Sequence, residues 1–278
     1  MLVSSLIQYF LRDLPAATQT DVIQFADDVT DYSSDYDPMV VAKQLEAAFD
    51  HTKAYCTSRE LSINATKTKC IFFKTPNKKL QEDLEVIIDG QSIKPEKSVK
   101  LLGVTLDQHL SFNEHIHTVT KKCHGLIGLL ASSAPFLSKE LMRLTYVALI
   151  RSHLEYSSAI FASAAPTQLK RLDIIQKIAA RVICGATRDA HAAPLLQSLQ
   201  LDSLEARRQH HAITLVQNIL SGNCHPSLIG LFKLDSDGKV SNEESSRIKF
   251  GRKRFSIYAK YLVNSSTLAQ VTVPVMDI

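Results

Sequence analysis

The fold of the first part of this chain is decided by the stretch Val22-Ile23-Gln24-Phe25-Ala26-Asp27-Asp28-Val29-Thr30-Asp31-Tyr32. Apolar and β-branched residues lie on both sides of a short polar break, a pattern typical of two strands joined by a tight turn. We predict a strand at 22–25, a turn at 26–28 and a returning strand at 29–32. Neighbouring carboxylates on a regular strand point to opposite faces, so the turn is needed to aim both at one site.

Asp27 and Asp28 are a candidate cation site at the tip of this hairpin. Two adjacent like charges are unfavourable unless a cation compensates them, and their hard oxygen ligands suit Mg²⁺. In proteins Mg²⁺ commonly takes one or two carboxylates together with substrate phosphates, which indicates phosphoryl transfer with two metal ions. Taken alone, most Asp-Asp pairs are solvated turn residues, so the interpretation needs support from the rest of the chain.

The segments next to the hairpin continue a mixed pattern. Upstream, apolar residues at helical spacing between Val3 and Leu11 predict a short helix that ends before Pro15. Downstream, Pro38 to about Glu60 predicts an amphipathic helix whose apolar face comprises Val41, Leu45, Ala48, Phe49, Thr52 and Tyr55.

Four further strand segments follow. Cys70–Phe73 predicts a strand, and Asp89-Gly90 between two apolar runs at 85–88 and 91–93 predicts a hairpin. Val99–Leu106 predicts one more apolar strand.

Helical patterns then replace strand patterns. The apolar stripes are Ile116, Val119, Cys123, Leu126 and Leu130; Met142, Tyr146, Leu149, His153, Tyr156 and Ile160; Leu169, Leu172, Ile175, Ala179 and Val182; and Ala212, Leu215 and Ile219. They predict a helical bundle of about 120 residues with short connections. After about Lys233 the chain turns polar, which predicts a loose tail.

Composition and charge support a globular chain with two electrostatic poles. With 278 residues and 45% apolar side chains, disorder is excluded for most of the chain. Residues 1–60 carry four basic and ten acidic side chains, and the remaining residues carry 28 basic and 18 acidic ones. An acidic first fifth before a basic remainder suggests a cation-binding pole next to a surface that attracts polyanions.

The spacing of the cysteines and the lack of a long apolar stretch indicate where in the cell the protein would be found. The five cysteines are odd in number and never fall in a C-x-x-C spacing, so neither a disulfide framework nor a zinc knuckle is supported. The apolar opening at 2–11 lacks a basic leader, and no stretch reaches the roughly 18 apolar residues of a membrane span. We expect an intracellular protein, nuclear or cytoplasmic, without a membrane partner.

The motifs resemble a known family. Phe25-Ala26-Asp27-Asp28 after an apolar strand resembles the aromatic-x-Asp-Asp hairpin of reverse transcriptases. Leu61-Ser-Ile-Asn64-Ala-Thr-Lys67-Thr68-Lys69 is similar to the Leu-Asn-x-x-Lys-Thr segment of the reverse transcriptases of non-LTR retrotransposons. Val99-Lys-Leu-Leu102-Gly103-Val104 through Ile116 is similar to their primer-grip strand and the helix after it.

The resemblance continues into the helical region. Segments beginning at Leu149, Leu172 and Leu204 resemble the thumb and post-thumb helices of the same family. The resemblance covers about residues 1–230 and presents its motifs in the family's order. It implies an RNA-directed DNA polymerase, with RNA template, DNA primer and deoxynucleoside triphosphate as partners and Mg²⁺ as cofactor.

The resemblance also implies roles for single residues. Asp27 would hold Mg²⁺, and Asp28 would support it as a second catalytic and metal-binding carboxylate. Phe25 would pack near the primer end, and Lys67 would lie close to the incoming triphosphate.

Three more residues would contact nucleic acid. Lys69 would lie along the nucleic acid, and Leu102 and Gly103 would shape the turn that holds the primer strand, with glycine permitting close backbone approach. For Lys67 and its neighbours a solvated basic strand edge is the alternative.

Two departures from the family affect these expectations. Family members often have Trp where this chain has Phe112 and Phe161, and the chain has no Trp. In the family a further metal-binding aspartate lies well upstream of the hairpin, whereas here Asp13 and Asp21 lie in no matching context. Because two-metal catalysis needs that ligand, we expect the chain to be a truncated polymerase that is impaired or inactive.

Other polar clusters have weaker patterns. His115, His117, Cys123 and His124 match no standard zinc spacing. Basic residues at 94–122, on the helix with Arg207 and Arg208, and in the tail at 247–254 could bind nucleic acid, or they are ordinary solvated surface.

We therefore predict an α+β fold: a partial polymerase palm with β-hairpins followed by a mainly helical thumb bundle. The expected domains are a partial palm at 1–75, a hairpin and primer-grip region at 76–108, a helical thumb and post-thumb region at 109–232, and a polar tail at 233–278. The alternatives to a polymerase are a non-catalytic, helical nucleic-acid-binding protein derived from a retroelement and a degenerate product without function.

Overall fold

The computed structural model describes residues 21–64, 67–81 and 84–224, together with Leu14, Leu228 and residues 232–234 and 240–241. The chain divides into two compact units, Met1–Val99 and Lys100–Ile278. The predicted helix between Val3 and Leu11 and most of the predicted polar tail lie outside the described residues. Within the described part, no helix combines the length and the apolar character that crossing a bilayer requires.

The first unit is built from two antiparallel hairpins and one long helix. Its elements are β1 (Asp21–Phe25), β2 (Asp28–Tyr32), α1 (Pro38–Ser58), β3 (Val86–Ile88), β4 (Gln91–Ile93) and the start of β5 (Ser98–Leu101). The predicted β1–β2 hairpin and the helix at 38–60 are confirmed. α1 begins where Asp37 accepts a hydrogen bond from the Met39 N–H at 2.9 Å, with Pro38 in the first turn.

The core of the first unit lies between α1 and the β3–β4 hairpin. Val41 and Phe49 of α1 pack with Val86 and Ile88 of β3, and Cys70 joins the same cluster. The β3–β4 turn is formed by Asp89 and Gly90, both with positive φ (53° and 73°), as the Asp-Gly signal predicts.

The predicted strand at Cys70–Phe73 is wrong, because the segment has no regular secondary structure. Burial still alternates as in a strand, with Cys70 and Phe72 buried and Phe73 exposed. A backbone hydrogen bond of 2.8 Å joins the Glu96 N–H to the Cys70 carbonyl. The segment therefore packs like a strand without taking part in a ladder.

The second unit is mainly helical after one hairpin. Its elements are the end of β5, β6 (Val104–Asp107), α2 (Asn113–Ser133), a 3₁₀ turn (Ala134–Phe136), α3 (Lys139–Thr145), a π-helix (Tyr146–Arg151), α4 (Ser152–Glu155), α5 (Ser158–Phe161), α6 (Pro166–Cys184), α7 (Ala192–Ser198), α8 (Leu204–Leu220), β7 (Lys233–Leu234) and β8 (Val240–Ser241). Hairpins followed by a helical region confirm the predicted α+β class.

The single strand predicted at Val99–Leu106 is wrong, because this stretch folds back on itself as the β5–β6 hairpin. Leu102 and Gly103 form the loop with φ of 45° and 86°. Positive φ at both loop residues is the geometry that matches the twist of a two-residue hairpin.

The apolar stripe from Met142 to Ile160 does not form one helix. A π-helix occupies Tyr146–Arg151, and the helical run ends at Tyr156, after which Ser157 has a φ of 55°. α5 then begins as a separate short helix. The other three predicted stripes lie on α2, α6 and α8.

The core of the second unit lies along the packing of α2 against α6. Ile116 and Cys123 of α2 and Leu172 and Ile175 of α6 are almost fully buried. Phe112 and Phe161 are also buried in this core. Both rings therefore have a packing role.

Buried polar groups connect α6 to the start of α8. Gln176 donates to the Asp202 carbonyl at 2.9 Å and accepts from the Leu204 N–H at 3.2 Å. Arg208, which is buried, binds Asp173 at 3.0 Å. These interactions give partners to polar groups near the start of α8 that would otherwise be costly to bury.

Asp107 organises the loop between β6 and α2. Its carboxylate accepts hydrogen bonds from the backbone N–H groups of His109, Ser111 and Phe112 and from the Ser111 hydroxyl, at 2.7–3.1 Å. Burial pushes the pKa of Asp107 upward, but these hydrogen bonds outweigh burial and lower it. The loop is therefore held by a carboxylate that favours its ionised form.

His115 is a buried titratable residue of the second unit. Its Nδ1 accepts a long hydrogen bond of 3.4 Å from the Thr105 N–H, and its ring lies 5.3 Å from that of Phe161. Nε2 is buried and has no hydrogen-bond partner among the described residues. Burial, with a contribution from Lys100, lowers the pKa of His115.

We predict that His115 makes the chain less stable in mild acid. As the pH falls below about 6.5, the unfolded state takes up a proton that folded His115 resists, so the free energy of unfolding decreases. His115→Phe, which keeps a ring but cannot be protonated, should lose less stability between pH 7 and pH 5. Urea unfolding at several pH values measures this, and parallel pH profiles for the two proteins would contradict it.

Candidate functional site

The predicted aspartates lie at the tip of the β1–β2 hairpin. Phe25 and Asp28 are register partners, so Ala26 and Asp27 form a two-residue loop, and Ala26 has a φ of 55°. Asp28 is thus the first residue of β2 rather than part of the loop. Both aspartates are exposed, and Phe25 is 62% exposed. The hairpin therefore presents two carboxylates and an aromatic ring to solvent.

The two faces of this hairpin differ. Val22 and Val29 pack on a cluster that includes Cys56 of α1, whereas Ile23 and Tyr32 are exposed on the same face as Phe25 and Asp28. Asp31 lies on the inner face, where burial raises its pKa and one carboxylate oxygen is buried without a hydrogen-bond partner among the described residues.

Lys67 and Lys69 lie on the segment after α1. Lys67 is exposed and its backbone N–H donates to the Asn64 carbonyl at 3.1 Å. Lys69 forms an ion pair with Glu96 at 3.1 Å. Within the described residues, no hydrogen bond or ion pair joins either lysine to Asp27 or Asp28, so the structure does not bring the four side chains into one contact network.

The carboxylate pair supplies part of a metal site. Nowhere among the described residues do three or more His, Cys, Asp or Glu side chains converge in a metal-binding group. Asp27 and Asp28 have the hard oxygen donors that Mg²⁺ prefers, and Mg²⁺ sites can use two carboxylates when phosphates complete the coordination. The pair thus fits Mg²⁺ only together with further oxygen ligands.

The residues of the candidate zinc cluster do not converge. His117 contacts Arg171 at 3.0 Å, and the Cys123 thiol faces the Ile150 carbonyl at 3.9 Å. Burial raises the pKa of Cys123 to about 11, so its thiol is protonated at neutral pH.

The Leu102–Gly103 turn is the second predicted site, and a tyrosine braces it. Tyr156 donates a hydrogen bond from its hydroxyl to the Leu102 carbonyl at 2.7 Å. A Cβ atom on Gly103 would lie 3.1 Å from Tyr156 Cε1. Glycine is therefore favoured here both by its positive φ and by the close approach of the tyrosine ring.

The position of Tyr156 depends on ion pairs of the preceding residue, Glu155, at the end of α4. We call Glu155 with Arg151 and Arg207 the Glu155 clamp. Glu155 binds Arg207 of α8 through two hydrogen bonds, one of 2.8 Å, and Arg151 lies 3.6 Å from the same carboxylate. The Glu155 side chain is only 13% exposed. The clamp fixes the helix end from which Tyr156 reaches the turn.

Comparison with known proteins gives a consistent set of relatives. The chain is 22% identical over 261 residues to the RNA-directed DNA polymerase from the mobile element jockey of Drosophila melanogaster, which is 90% of this chain and 28% of that protein. It is 23% identical over 192 residues to the probable RNA-directed DNA polymerase from transposon BS of the same species, 67% of this chain and 21% of that protein. The chain is homologous to retrotransposon RNA-directed DNA polymerases.

The extent of this homology is limited. A third polymerase, the probable one from transposon X-element, is 25% identical over 144 residues, 51% of this chain. The chain spans between one fifth and three tenths of the length of the first two relatives. No protein-family model and no solved structure matches the chain.

The structure pairs residues that the sequence patterns did not link to one another. Tyr156 and Glu155 lie in the segment that begins at Leu149, and the sequence indicated them only as parts of a helix. Arg207 was a candidate for nucleic-acid binding or for solvated surface, and the structure instead pairs it with Glu155. Their pairing joins residues about fifty positions apart, which helical periodicity does not detect.

We predict that Gly103→Ala destabilises the second unit by about 1–2 kcal/mol, because a β-carbon is strained at positive φ and crowds the Tyr156 ring. Gly125→Ala in α2 is the matched control: nothing lies within 4 Å of the added Cβ, so it should stabilise by about 0.5–1 kcal/mol. Urea unfolding followed by far-ultraviolet circular dichroism measures both. Equal stabilities for the two variants would contradict the account of the turn.

Proposed function

We propose that this chain carries the catalytic-hairpin and thumb segments of an RNA-directed DNA polymerase that acts on an RNA template and a DNA primer inside the cell. The observation that carries the proposal is the exposed hairpin tip, with Asp27 in its two-residue loop and Asp28 at the start of β2, in a chain homologous over 90% of its length to such a polymerase. The braced Leu102–Gly103 turn supports it independently.

The hairpin would act as the metal-binding element. Asp27 would hold Mg²⁺ from the loop, and Asp28, on the first position of β2, would add negative charge beside it. When bound, Mg²⁺ supplies charge stabilisation to the attacking 3′ hydroxyl and the leaving pyrophosphate. Phe25 shares its exposed face with Asp28, so its ring would pack against the primer end while the carboxylate faces the metal.

The remaining candidates would contact the strands and the triphosphate. Lys67 has an exposed ammonium that would stabilise the leaving pyrophosphate. Lys69 has a solvent-exposed ion pair with Glu96, and exchanging such a pair for a phosphate costs little, which keeps it available for nucleic acid. The backbone of Leu102 and Gly103 would contact the primer strand.

Catalysis by the chain alone should be weak. Two-metal phosphoryl transfer needs enough carboxylate ligands to hold both ions, and the described residues bring no third ligand to Asp27 and Asp28. Loss of one such electrostatic contributor typically costs about 10²–10³ in rate.

A second candidate function is sequence-independent nucleic-acid binding without catalysis. The observation that favours it is the exposed lysines on the two helices that form the core of the second unit, Lys121 and Lys122 on α2 and Lys170 and Lys177 on α6. Such side chains can contact phosphates without any of the geometry that catalysis requires.

We predict that RNA-templated primer extension with Mg²⁺ is weak for this chain and that Asp27→Asn lowers it further, by about 10²–10³ if the carboxylate holds the metal. Asp50→Asn is the matched control, an exposed aspartate on α1 that should leave extension unchanged. Equal signals from the chain and from Asp27→Asn would contradict catalysis by the hairpin and would favour the binding function.

Hybrid binding should depend steeply on salt under either function. With about six phosphate contacts, affinity for an RNA–DNA hybrid should fall roughly 10³-fold between 50 and 200 mM salt. Replacing Lys121 and Lys122 by Gln should reduce the slope of log affinity against log salt by about two, whereas Lys43→Gln on α1 should not change it. A flat salt response of the unaltered chain would exclude phosphate-backbone binding.

A further inference from the structure

An apolar groove lies in the second unit between α2 and the run of α3 and the π-helix. It contains a half-open cavity of about 160 Å³, with Leu126, Leu129 and Leu130 on one side and Leu149 and Ile150 on the other. The two hydroxyl groups on its wall are already used, because Ser133 donates to the Leu129 carbonyl and Thr145 to the Leu141 carbonyl. The groove therefore offers no free hydroxyl donor, and its other lining residues are leucines and an isoleucine, so it favours an apolar occupant.

Leu129 and Leu149 line this groove, Leu141 and Leu144 lie within one turn of its lining residue Thr145, and Phe136 directly precedes its lining residue Leu137. Together these side chains form an apolar surface around the groove. We call it the Leu129 patch, and its exposed members with their exposed fractions are Leu129 (65%), Phe136 (86%), Leu141 (47%), Leu144 (50%) and Leu149 (53%). At about 150–250 Å² for a large side chain, these residues expose on the order of 500 Å². Apolar patches of this size on a protein surface commonly mark an interaction site.

The patch contains a protruding group as well as a groove. Phe136 lies in the 3₁₀ turn directly before Leu137, which lines the groove. A cavity of roughly 150 Å³ with apolar walls accepts a benzene molecule, so the groove is large enough for a phenyl ring. Phe136 and the groove adjoin each other, which is the arrangement a two-fold axis needs to pair each with its counterpart.

We propose that the Leu129 patch is the interface of a symmetric homodimer in which Phe136 of each copy inserts into the groove of the other. The area agrees with this occupant: a standard interface buries about 800 Å² per partner, of which roughly 56–65% is apolar, close to what the patch supplies. The rim is polar, because Arg143 and Glu140 form an ion pair at 3.2 Å beside Leu141 and Leu144. This dimer does not depend on the polymerase assignment.

The first experiment measures the oligomeric state of the full chain by sedimentation at micromolar concentrations. The unaltered chain should be a dimer, and Phe136→Lys and Leu149→Glu should each weaken self-association at least about tenfold. Ile174→Lys, on an equally exposed apolar residue of α6 outside the patch, is the matched control and should remain dimeric. Thermal unfolding checks that each variant keeps its fold.

Mixing the two variants tests the pairing itself. A two-fold dimer contains two contacts between position 136 of one copy and the groove of the other. In a heterodimer of Phe136→Lys with Leu149→Glu, one contact pairs the introduced ammonium with the introduced carboxylate. The other contact keeps Phe136 and Leu149. The heterodimer should therefore form where each variant alone does not. A monomeric unaltered chain would overturn the proposal and leave the patch to another occupant, such as a segment of a longer polypeptide. The proposal would also be overturned if each single variant remained as dimeric as the unaltered chain, or if the mixture of the two variants stayed monomeric.

Discussion

Most of the proposed chemistry depends on one backbone constraint, the positive φ that closes a two-residue hairpin loop. Asp27 lies in such a loop after Ala26, and Leu102 and Gly103 form another. A side chain at positive φ costs about 1–2 kcal/mol, so Ala26 and Leu102 are tolerated only because their strands are paired. The Asp27 and Asp28 carboxylates and the Leu102–Gly103 backbone are therefore positioned at the tips of their hairpins at a local energetic cost.

The structure offsets this cost differently at the two turns. The β1–β2 hairpin is stabilised by five cross-strand residue pairs and by the packing of Val22 and Val29, on its inner face, against the cluster that includes Cys56. The Leu102 turn is held by a hydroxyl that arrives from the end of α4, and that end is in turn fixed by Glu155 and Arg207. Rigidity at the second turn thus comes from tertiary contacts and would be lost if the helix end moved.

Local chemistry explains which elements the sequence predicts. The Asp89-Gly90 turn and the strand pattern at 22–32 depend on neighbours close in the chain, and both hairpins formed as predicted. Leu102-Gly103 is not a favoured turn dipeptide, and its partner Tyr156 follows 54 residues later, so a continuous strand was predicted instead. The aspartate pair was recognisable for the same local reason, whereas the Lys69–Glu96 ion pair was not.

The π-helix at Tyr146–Arg151 has a consequence for comparing this chain with its relatives. An α-helix turns about 100° for each residue, so a wider turn changes the rotational phase of everything after it. Removing one residue there would leave a helix intact but would swing Glu155 and Tyr156 away from their partners. A relative with one residue fewer in this segment would therefore differ in the direction of the side chains that follow, and not only in the length of the helix.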